Sequence, residues 1–117
     1  MNYLLVFIGG GLGSLLRFGL SQSIPNTKVY LPIATLLANT IACVVFALVM
    51  SIAQNKALFS EPVKFLLLAG FCGGLSTFST FSNETFLMLK QGLYLYACGN
   101  ILFNLCLCLA VFYWFSK

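Results

Sequence analysis

The sequence predicts an all-helical integral membrane protein with four spans per subunit, the third broken near the bilayer midplane. Three observations predict it. Of 117 residues, 61% are hydrophobic and 7% charged, against about 25% charged in a soluble domain. So few charges cannot clothe a globular surface in water-compatible groups, and the surface must face lipid. Four apolar runs, 3–22, 31–53, 63–89 and 91–115, meet the requirement of about 20 residues for a crossing. Finally, GFCGGLSTFSTF (70–81) places three glycines and four hydroxyl residues in the middle of the third run. The whole chain, 1–117, reads as one membrane domain without linkers, repeats or low-complexity tracts, set in the cell membrane.

The first run lacks a basic leader and a cleavage site followed by a mature domain, so it reads as a span and not a signal peptide. Within it, Gly9 and Gly13 in GGGLG have the small-xxx-small spacing that lets membrane helices approach closely. No GK[ST] follows, which excludes a phosphate loop. Arg17 lies near the end of the span, where a long side chain can snorkel to water. The first loop, SIPNTKVYLP, carries Pro25 and Pro32. In the second span Thr35 and Asn39 share a face at i and i+4, with Phe46 further along.

The second loop ends in Ser60-Glu61-Pro62, which reads as an N-cap followed by first-turn residues of span three. Helix from Val63 to Gly73 rises about 15 Å, half the hydrocarbon core, and so brings the glycine and hydroxyl cluster to the midplane. Gly73 and Gly74 weaken a helix there, and Ser76 and Thr77 offer hydroxyls to backbone groups released by a break. Broken backbone at this depth is tolerated only where protein buries it or a cavity receives it. The first half-helix would present a partially negative carbonyl end, which suits a hard cation such as Na⁺.

Beyond the break, Phe78 and Phe81 share a face with Ser82 and Thr85 beside them. Such a phenylalanine stripe either packs as core or turns its positive ring edges toward a dehydrated anion. Glu84 lies about 12 Å of helical rise past Ser76, toward a membrane face. A very short loop at Lys90-Gln91-Gly92 makes spans three and four antiparallel neighbours. Asn100, Asn104 and Cys108 then follow at four-residue spacing. Amides in lipid need partners, so these either glue helices together or donate to a passing anion.

The five cysteines all fall in apolar runs, with no CxxC pair and no histidine. They read as small buried hydrophobes, neither disulfides nor zinc ligands. No carboxylate pair or nucleophile with a neighbouring base is present, so an enzyme is not expected. The net charge of +4 is dispersed, which excludes a nucleic-acid surface. With both termini on one side, Lys56, Lys64 and Lys117 lie there, with Glu61, against Arg17, Lys28 and Lys90 on the other. That balance gives little orientation bias. An antiparallel homodimer is therefore open, beside one orientation fixed by a partner or the N-terminus.

Residues 70–81 resemble the span-three signature of the Fluc (CrcB) family of fluoride channels, close to G-F-C-G-G-x-[ST]-T-F-S-T-F. GGGLGSLLRF (9–18) looks like the family's first-span motif and IATLLAN (33–39) like its second-span segment ending in Asn, so the resemblance covers essentially the whole chain. It implies passive, selective fluoride conduction that lowers cytoplasmic fluoride, by an antiparallel dual-topology dimer with two pores and a central structural Na⁺. The positions matching the Na⁺ carbonyls are Gly73 and Ser76. Those matching the fluoride route are Phe78, Phe81 and the pore amide Asn39, followed by Ser79, with Thr35 and Glu84 as further candidates. Arg17 matches a structural or vestibular arginine. The chain departs from the family at Cys43 and Ala47, where small residues, especially glycine, are expected, and at Leu107-Cys108, which stand for glycine and serine.

Two other functions remain open at this point. A small dual-topology exporter of cationic drugs also has four short spans, but it needs a membrane-buried carboxylate. A non-conducting subunit of a heterodimeric channel would use its amides only as glue.

Overall fold

The computed structural model describes residues 2–24, 32–55 and 60–116. Lys28, Lys56 and Lys117, three of the six cations in the predicted charge balance, and the middle of both longer loops lie outside the described residues. Within them, helix α1 is Asn2–Ser23, α2 is Ile33–Asn55, and α3 is Glu61–Lys64. A π-helical segment, Phe65–Cys72, continues α3 into α4, Gly73–Leu75. After an interruption come α5, Ser79–Lys90, and α6, Tyr94–Phe115. Four helices are long and apolar enough to cross a membrane: Asn2–Ser23, Ile33–Ala53, Glu61–Lys90 and Tyr94–Phe115. The chain is a multi-pass membrane protein, and the interruption falls at the centre of its third crossing.

Each boundary has a local cause. Ser60 is extended, and proline occupies the first turn of α3, where its missing N–H costs nothing. The Ser60 side chain makes no capping bond among the described residues, so the expected N-cap is present in backbone conformation only. Glu61 and Lys64 pair across one turn at 3.3 Å. At the other end of the crossing, Gly92 has φ 80°. Gly92 N donates to Leu89 O and Leu93 N to Met88 O, the paired bonds of a Schellman cap. That cap turns the chain directly into α6, as the short loop predicts.

The expectation of an ordinary α-helix before the break is corrected by the π segment, FLLLAGFC. Wider winding places residues four to five apart on one face, so Leu66, Gly70, Phe71, Gly74 and Leu75 all meet α1. There, glycine faces backbone. A β-carbon on Gly13 would strike the Phe71 carbonyl oxygen and come within 2.7 Å of Leu75 N; one on Gly9 would strike Leu66 O. These clashes are with main chain, which has little room to yield. Gly13→Ala is therefore expected to cost about 3 kcal/mol, the upper end for overpacking, and to lower the melting temperature in detergent. An unchanged melting temperature would contradict this packing.

α1 packs on the π segment and α4, α2 on α6, and α5 on α6. The core is built of the small side chains Ala38, Ala42 and Cys72 around one large one, Leu75, while large apolar residues such as Phe7, Leu95, Phe103 and Trp114 point outward. That inversion is what a lipid-facing protein requires. The molecule is a slab of 49 × 32 × 20 Å.

Candidate functional site

The interruption begins later than the sequence suggests. The helix runs through Gly73 and Gly74 to Leu75, and Ser76 then turns extended, with ψ 156°. The hydroxyls act as expected. Ser76 Oγ donates to Cys72 O at 2.9 Å, and Thr77 Oγ1 accepts from Thr80 N at 3.1 Å, capping α5 in the manner of an N-cap threonine. Ser76 N still closes a helical bond to Cys72 O. Among the described residues, no donor reaches the carbonyls of Gly73 and Ser76.

Arg17 does not snorkel outward. Its Nε donates to Gly74 O at 3.1 Å, placing a cation at the carbonyl end of the first half-helix, where the helix dipole favours it.

The amides form a directed chain. Asn39 Oδ1 accepts from Thr77 N at 2.8 Å. Asn39 Nδ2 donates to Asn104 Oδ1 at 3.1 Å and, at 3.4 Å, to Thr77 O. Asn104 Nδ2 donates to the Oδ1 and O atoms of Asn100. Asn100 Nδ2 donates to Thr85 Oγ1, and Thr85 Oγ1 to Phe81 O. The chain leaves the third crossing at Thr77 and rejoins it at Phe81, so both ends of the Phe78–Phe81 stretch are tied to α2 and α6. Spacing put Asn39, Asn100 and Asn104 on facing stripes; it gave no signal for Thr85 as the closing member.

Two cavities adjoin this stretch. One, of about 250 Å³, is lined by Asn39, Cys43, Ser76, Phe78, Phe81 and Cys108 among others. In it the rings of Phe78 and Phe81 lie 5.9 Å apart at 46°, and Phe78 is 78% exposed in the single chain. The other, of about 200 Å³, is lined by Arg17, Thr35, Thr77, Thr80 and Glu84 among others. Thr77 lines both. Sequence reasoning missed Thr77 and Thr80 as lining residues, because their part follows from where the chain breaks. Thr35 Oγ1 donates to Glu84 Oε2 at 3.0 Å, while the buried Glu84 Oε1 has no partner among the described residues. Ser79 is exposed, with its hydroxyl 3.5 Å from that of Thr77. Asn39, Phe78 and Phe81 thus gather at one cavity and Thr35, Glu84 and Arg17 at the other, with Ser79 beside the threonine that separates them.

The family pattern described as CrcB-like protein, Camphor Resistance (CrcB), matches residues 4–115. The chain is 39% identical to the fluoride-specific ion channel FluC of Serratia proteamaculans, over 89% of this chain and 82% of that one. It is 45% identical to proteins of the same name from Leptospira interrogans and Pyrococcus abyssi, over 86% of this chain and 80% and 81% of theirs. A pattern spanning almost all of the chain, carried by relatives of this similarity, shows that the chain belongs to the CrcB family.

Proposed function

We propose that this chain is a fluoride channel that conducts the anion passively across the membrane and so lowers fluoride inside the cell. The observation that carries the reading is the convergence of the Asn39 amide, the Phe78–Phe81 pair and the interrupted backbone on one cavity, joined through Thr77 to a second cavity with hydroxyls and Arg17. A small hard anion holds water tightly, so a path must replace that water without trapping the ion. Ring edges supply positive quadrupole. Of the two Asn39 donor contacts, the 3.4 Å one to Thr77 O is long and weak, and that hydrogen is the one most readily shared with a passing ion. The hydroxyls of Thr77, Ser79, Thr80 and Thr35 can continue the donation toward the membrane face, where Arg17 offsets the charge of Glu84. Relatives named as fluoride channels favour this reading over cation export and over enzymatic chemistry.

The backbone at the break supports a structural Na⁺. The carbonyls of Gly73 and Ser76 are hard donors without a partner among the described residues, and they fit such an ion. Na⁺ would neutralise the carbonyl end of the half-helix. Two carbonyls do not complete a coordination shell, and Gly73 is exposed with open space where a side chain would be. Bare backbone at this depth cannot face lipid. A second copy in the opposite orientation, bringing its own Gly73 and Ser76, would cover the gap and complete the donor set.

The decisive experiment is fluoride-electrode efflux from liposomes holding this single polypeptide. Fluoride release faster than chloride release by at least about tenfold, a barrier difference of about 1.4 kcal/mol, is the expected result. No release alone, with release restored by a second homologous chain, would instead identify a subunit of a heterodimer.

A further inference from the structure

Helices α2 and α6 face each other along a ladder of side chains. One rung is the hydrogen bond from Asn39 Nδ2 to Asn104 Oδ1 at 3.1 Å. A later rung is the edge-on contact of Phe46 with Phe112, centroids 5.8 Å apart. The two helices run the same way, since the second rung lies ahead of the first in both. Between these rungs, one turn or about 6 Å beyond each asparagine, stand Cys43 and Cys108. Both line the cavity that holds Phe78 and Phe81. Of the remaining thiols, Cys72 is buried in the core, and Cys98 and Cys106 are exposed on α6.

We propose that Cys43 and Cys108 form a two-coordinate site for a soft, thiophilic cation, within the cavity assigned to the anion path. Soft sulfur ligands select soft cations, and helices held in register by the rungs on either side bring the two thiols to one cavity. With Hg²⁺, two S–Hg bonds form, two S–H bonds break, and two protons leave to water. The product is a neutral bis-thiolate, the charge state that a low-dielectric cavity tolerates. Occupancy puts a bulky atom beside the Phe78–Phe81 pair and stops fluoride flux, a consequence that rests on the function proposed above.

The test uses a Cys98→Ala/Cys106→Ala chain in liposomes, treated with one equivalent of Hg²⁺ in chloride-free buffer. Each Hg²⁺ is expected to remove two thiols from later reaction with a disulfide reagent. Further replacement of Cys43 or Cys108 by alanine should cut this to one. Fluoride efflux should fall at least about tenfold and return with excess dithiol, while the efflux of a chain lacking both Cys43 and Cys108, whatever its own rate, should not respond to Hg²⁺. Loss of only one thiol per Hg²⁺, or the same loss without Cys43 and Cys108, overturns the site. Loss of two thiols with undiminished flux upholds the site and overturns this cavity as the anion path.

Discussion

Replacing Asn39 with alanine is expected to abolish fluoride efflux and to lower the stability of the folded chain in detergent. The Asn39 side-chain oxygen accepts from the Thr77 N–H at 2.8 Å at the interruption, and its amide nitrogen donates to Asn104 Oδ1. Alanine leaves both groups unpaired where water is scarce. At about 1–3 kcal/mol for each orphaned group, the loss is about 2–6 kcal/mol. Asn39→Asp is the informative companion. It keeps an acceptor for Thr77 N–H but turns an acceptor toward the Asn104 oxygen, so a partial recovery of stability without flux is expected. Thermal unfolding and electrode efflux measure the two effects separately. Wild-type flux and melting temperature in Asn39→Ala would show that the amide neither braces the break nor serves the path.

Phe81→Ile is expected to leave folding and assembly intact while reducing efflux at least about tenfold, equivalent to about 1.4 kcal/mol in the barrier. Isoleucine retains apolar bulk beside Phe78 but has no ring edge to offer an anion. Phe81 is half-buried in the cavity wall, and its carbonyl takes the Thr85 hydroxyl through backbone geometry that isoleucine can keep. Normal efflux from this variant, with the same elution profile as the parent, would reduce the phenylalanine pair to packing.

Legibility followed the physics of each feature. Spans announce themselves through runs of apolar residues, and Gly9 and Gly13 announce a close crossing because nothing larger fits against Leu66, Phe71 and Leu75. The cluster in 70–81 located the interruption to within a few residues. Its exact start was not legible, because glycine at position 74 is as useful for packing on Gly10 as for breaking a helix. The π winding carries no local composition; it answers to α1, which the segment itself does not encode. Spacing identified the polar stripes of α2 and α6. Which amide donates to which depends on a bond closed through Thr85, fifteen residues away from Asn100. Arg17 shows the same limit: a charge near a helix end looks destined for water until the fold puts Gly74 O within reach.

A slab only 20 Å through has no interior deep enough to enclose its own severed helix. In the dimer proposed above, covering comes from the second copy, and the folded state is then tied by mass action to how crowded the bilayer is with its complement. Diluting the protein in excess lipid should therefore weaken it in the manner of a ligand withdrawn from its receptor. Expression level then becomes a determinant of integrity as much as of amount.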